Sequence, residues 1–216
     1  MAKSTSSYED NVFINCPFDK QYKPIFNAIV FAIHDAGFVA RCSLEVIDSG
    51  ETRFSKIISI ISECKYGIHD ISRIETSGRA KLPRFNMPFE CGLFLGCSEY
   101  GRKPKRTLIL DSEDYRYRAT ISDIAGQDIR VHNNNPRIAM DKVRSWLNAK
   151  SGRKTIPGGT AIWNHYVLFQ RELPQILKSE SITRAELDTP EYYPDYVTFI
   201  VDWLTEREAQ AAEKME

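Results

Sequence analysis

The chain has 216 residues, enough for one full core or for a core with a small appendage. Its 29 basic and 29 acidic side chains cancel, which argues against duplex nucleic acid or an anionic membrane as partner, and no apolar run reaches the length of a membrane span. Five cysteines with no Cys-x-x-Cys pair argue against a zinc site or a disulfide framework, so no metal or cofactor is expected. The first ten residues lack the apolar centre of a signal peptide and read as a solvated tail on a cytoplasmic protein.

Asn11 to Cys16 is a β-prone run that stops at Pro17, and 22–36 follows with apolar residues at 22, 25, 26, 29 and 33, a strand and then a helix. Gly37 ends that helix and 38–42 supplies a second strand. Asp48 and Glu51 have capping-box spacing ahead of a helix carrying Phe54, Ile57, Ile58, Ile61 and Cys64. A third strand, 66–71, brings Asp70 to its carboxyl end, followed by Ser72 and Arg73. His69 should point to the other side of that strand and reads as a packing histidine. The charged stretch 74–85 reads as a flap. Thr107 to Leu110 is a fourth strand, 111–127 a polar connection, 128–132 a short fifth strand, and 136–149 the helix that closes the unit. Residues 150–159 have linker composition, and 160–216 is helical only, with one stripe at 162, 166, 169 and 173 and another at 196, 200, 203 and 204. Pro174 should kink or end the first of these helices. Two helices are too few for a core of their own, so they should dock on the α/β unit, on a partner protein or on a second copy.

The alternation over 11–149 predicts an α/β fold with a mostly parallel, flavodoxin-like sheet covered on both faces, plus a C-terminal helical appendage. Ligands of such sheets lie at the carboxyl ends of the strands. The loop after the first strand, Cys16-Pro17-Phe18-Asp19, belongs there, but no glycine-rich phosphate cradle is present. Around Glu90 the reading is sharper. Asn86 is a suitable N-cap and Pro88 fits a first turn, so Glu90 lies about one turn into a helix and shares a face with Leu93, Phe94 and Cys97. A carboxylate on an apolar stripe is either a rim group paired with a base such as Arg84 or a functional one. An aspartate closing a third strand also invites a phosphoreceiver reading. That fold's acidic pair and closing lysine are missing.

Val-Phe-Ile-Asn-Cys-Pro-Phe-Asp at the first strand, His-Asp-Ile-Ser at the third, and Asn-Met-Pro-Phe-Glu-Cys-Gly at the Glu90 helix resemble the nucleoside 2-deoxyribosyltransferase and TIR-like superfamily over about two-thirds of the chain. The resemblance implies cleavage of an N-glycosidic bond, with NAD as substrate in TIR-like members of bacterial antiviral defence and base exchange in the transferases. It implies that Glu90, with Gly92, forms the E-(any)-G motif whose glutamate attacks or stabilises the anomeric carbon. Asp70 matches a ribose-side acid, and Pro17 and Phe18 match the loop that touches the base. Arg41 or Arg84 would meet a phosphate, with Ser72 and Asn86 beside the ligand. The helical extension and 74–85 depart from the family. Self-association is expected through the apolar C-terminal stripes. The rival from another class is a non-catalytic nucleotide-sensing or assembly module.

Overall fold

The computed structural model describes residues 7–45, 50, 52–73 and 85–213. The short β-prone runs become β1 (Asn11–Asn15), β2 (Val39–Arg41), β3 (Tyr66–Asp70), β4 (Arg106–Asp111) and β5 (Arg130–Val131). These form one sheet in the order β2-β1-β3-β4-β5, with every neighbouring pair parallel. Between and after them run α1 (Lys23–Asp35), α2 (Arg53–Ser62), α3 (Asn86–Tyr100), α4 (Pro136–Ser151), α5 (Gly159–Ser179), α6 (Arg184–Leu187) and α7 (Tyr193–Glu213). This is the α/β architecture expected from the alternation.

Side-chain alternation along β1 sorts the helices between the two faces of the sheet. Val12 and Ile14 join a core with α1 and α4, whereas Phe13 joins one with α2 and α3 through Ile57, Ile60, Ile61 and Phe94. Because the chain leaves β1 for β2 on one side and returns to β3 on the other, the strand order reverses between β1 and β3. Sheets of this order take their ligands in the crevice at that switch point, outside the carboxyl ends of the strands.

Helix α1 is more deeply placed than its apolar period predicts. Every residue from Ile25 to Ile33 is buried, Asn27 included, which is the signature of a helix covered on all sides. The sheet and α4 cover its inner side, and α5 and α7 form a third layer outside it. The Phe31 ring lies 5.4 Å from the rings of Tyr166 and Phe169 and 6.0 Å from that of Trp203. The C-terminal helices therefore share one core with the α/β unit. Part of the expected linker belongs to this structure too: α4 extends to Ser151, Ile156 is buried, and Arg144 donates to the carbonyls of Pro157 (2.7 Å) and Ile156 (3.2 Å).

Three local expectations are corrected. Thr52, not Asp48, caps α2, its hydroxyl accepting from the Ser55 N–H; Asp48 and Glu51 lie outside the described residues. Asn86 is the first helical residue of α3 rather than its cap, because Phe85 already has helical dihedrals, and the helix start has no side-chain cap. Of the two outcomes expected at Pro174, the end is corrected: helix α5 runs through it to Ser179, since its buried stripe continues past the proline from Leu173 to Leu177. Packing against α1 holds the turn together where propensity would end it.

Candidate functional site

The carboxyl ends of the strands gather six buried polar side chains: Asn15, Asp70, Ser72, Asp111, Ser112 and His132. Asp70 is fully buried, and both its oxygens are used. Oδ2 accepts from the Tyr22 hydroxyl (2.6 Å) and from His132 Nε2 (2.9 Å), while Oδ1 accepts from the Ser72 N–H (2.8 Å). The Asn134 N–H donates to His132 Nδ1 at 3.0 Å, so Nδ1 carries no proton and Nε2 carries the one given to Asp70. Asp70 thus ties the ends of β3 and β5 to the start of α1. The side chain expected beside a ribose is enclosed by protein donors. Asp111, at the end of β4, is equally buried. Its Oδ1 accepts from the Ser112 N–H and from Arg116, which also donates to the Ser72 carbonyl, and Oδ2 has no partner among the described residues. Burial raises its pKa, with Arg116 pulling the other way.

Glu90 sits differently. It is 7% exposed, and no hydrogen bond joins it to a described residue. Burial raises its pKa above the ordinary carboxylate value, and Arg53, the first residue of α2, acts in the opposite direction. Leu93, Phe94 and Cys97, the stripe below it, pack on α2 as the spacing predicts. The first turn of α3 is held from the sheet by Asn15. Its Nδ2 donates to the Met87 carbonyl (2.8 Å) and lies 3.1 Å from His69 Nδ1. His69 is a packing histidine, wedged against the rings of Phe13 (5.8 Å) and Phe94 (5.0 Å), and burial lowers its pKa to about 3. Gly67 makes room for this wedge. A Cβ there would stand 2.6 Å from Phe94 Cζ.

The remaining expected residues divide. Pro17 is buried and Phe18 half-buried; Phe18 packs edge-to-face on Phe26 at 5.3 Å, on the α1 side of the sheet, whereas Glu90 rises from the opposite side. Together with Lys23, Asn27, Leu187 and Tyr193, Phe18 lines a cleft of about 60 Å³, far below the volume of a nucleotide pocket. Arg41, expected to meet a phosphate, is paired with Glu45 (2.7 Å) and Glu63 (2.9 Å) at the edge strand. Ser72 is buried under Arg116. Asn86 and Gly92 are exposed on α3, and open space surrounds the position of a Cβ at Gly92. Arg84 lies outside the described residues.

Residues that the sequence reading passed over complete the crevice. Arg73, just after β3, reaches across the switch point to Asp19 and Gln21 of the β1–α1 loop. Asn15 lies within the first-strand motif with no role assigned to it, Tyr22 reads as the first apolar position of a helix, and His132 closes a short strand; none of these signals tells which strand end the side chain will meet. Comparison of the chain with protein-family models, with curated proteins and with solved structures found no match.

Proposed function

We propose that the chain cleaves the N-glycosidic bond of a nucleotide in the crevice between β1 and β3, with NAD as the first substrate to test. One observation carries the reading. Glu90 is a buried carboxylate without a hydrogen-bond partner among the described residues, set one turn into a helix at the carboxyl edge of the sheet, and a protein keeps such a group at a cost in stability. Rupture of the bond leaves positive charge on the anomeric carbon. A desolvated carboxylate stabilises that charge more strongly than one in water. The C–N electron pair leaves with the base, which departs neutral when it was a pyridinium. Water then adds to the anomeric carbon and loses a proton. Asn15 serves as a positioning residue, holding the first turn of α3 at a fixed height above the sheet. Asp70 and Phe18 have no contact with the reacting atoms in this scheme.

The test is product analysis after incubation with NAD, nucleoside monophosphates and nucleosides, with and without a free base. Wild type should release nicotinamide or a nucleobase, and Glu90→Gln should lower the rate by about 10³-fold while keeping ligand affinity. Release that requires a free acceptor base would make the reaction an exchange. Ligand binding without release by either protein would overturn the catalytic reading in favour of a sensing module.

A further inference from the structure

The crevice carries an arginine whose arrangement is not explained by packing. Arg73 follows β3 at the switch point, where ligands of this sheet order are bound. Its Nε and Nη2 each reach Asp19 at 3.2 Å, and Nη2 donates to Gln21 Oε1 at 2.9 Å. Nη1 has no partner among the described residues. Contacts of 3.2 Å are long for a charge-assisted pair, which ordinarily closes to 2.7–2.9 Å. Both side chains also remain about one-quarter exposed. Asp19 is itself steadied by accepting from the Tyr22 N–H at 3.0 Å. Arg116, the other arginine at this edge, is more tightly engaged, holding Asp111 and the Ser72 carbonyl at 2.5 Å each.

We propose that Arg73 is a phosphate-binding residue, with Asp19 and Gln21 orienting its guanidinium fork so that the crevice takes a phosphorylated nucleotide in preference to the nucleoside. The inference rests on the reading that a nucleotide occupies this crevice. A guanidinium offers two parallel N–H groups to phosphate oxygens, and a loosely held one exchanges its carboxylate partner for a dianion at little cost.

The experiment uses matched pairs that differ only in the phosphate: nicotinamide mononucleotide against nicotinamide riboside, and AMP against adenosine. Binding is measured by calorimetry on full-length Glu90→Gln, to prevent turnover, with and without Arg73→Gln or Asp19→Asn. Arg73→Gln should weaken the phosphorylated member of each pair roughly 10- to 100-fold and leave the other unchanged. Asp19→Asn, which removes a repelling charge, should tighten the phosphorylated member several-fold. A purely structural ion pair would instead weaken both members alike in both variants, and that result overturns the assignment, as does a parent protein with no preference for phosphate. The two readings fail separately. Phosphate preference without base release by wild type leaves Arg73 in place and removes the glycosidic reaction; base release without phosphate preference does the reverse.

Discussion

Glu90 and Asp70 look alike in sequence, two acids near the carboxyl edge of one sheet, yet their surroundings are opposite. Asp70 is surrounded by donors, so its charge is held by protein. Asp70→Asn turns an N–H towards the Tyr22 hydroxyl or His132 Nε2, both of which already donate, and should cost about 3 kcal/mol in urea unfolding. Unchanged stability combined with a tenfold loss of ligand affinity would return Asp70 to the ligand. Glu90 has a raised pKa in the folded state, so the folded protein binds that proton more tightly than the unfolded chain does. The ionised group therefore destabilises above its folded pKa, and the penalty fades as pH falls from there towards the ordinary value of 4.5. Glu90→Gln should be more stable than wild type at pH 7, and the gap should close through that window. A gap that stays constant with pH would show that Glu90 is not desolvated in solution. The stripe that places Glu90 among Leu93, Phe94 and Cys97 was legible from spacing alone. The donors around Asp70 were not, since Tyr22, Ser72 and His132 come from three separate segments.

At the scale of elements, strand positions were read well because each short apolar run is bounded by a turn or a proline. Helix boundaries were read less well. Capping rules pointed to Asp48 and Asn86, whereas α2 uses Thr52 and α3 starts at Asn86, after Phe85, without a side-chain cap. Asn15 anchors the first turn of α3 from outside through the Met87 carbonyl, which fixes the position of the turn but does not replace a cap, since a cap meets N–H groups. Pro174 fails as a stop, since Leu173 and Leu177 are fixed by tertiary contacts on both sides of it. The same contacts predict the outcome of truncation. A chain ending at residue 158 loses α5 and α7 and bares the outer side of α1, including Phe31. Such a fragment should aggregate or lack near-ultraviolet dichroism, whereas a cooperative, monomeric unfolding transition would show that the outer layer is dispensable.

For the molecule as a whole, the β-α alternation was sufficient to read a parallel sheet, because parallel neighbours require crossovers and the crossovers are visible as helical periods. The third layer was visible only as two apolar stripes in search of a surface, with the α/β unit, a partner and a second copy all open. The deciding information lay in α1, whose Asn27, Ala28, Val30, Phe31 and Ala32 fall off the expected stripe and are buried nonetheless. This placement of α1 also governs the order of events on the ribosome. The sheet and its first helix emerge early, but the layer that completes α1 is made after them, from residues 159–213. Until then the nascent chain carries an apolar helix face that its own outer layer does not yet cover, so this core closes only once those helices have been made.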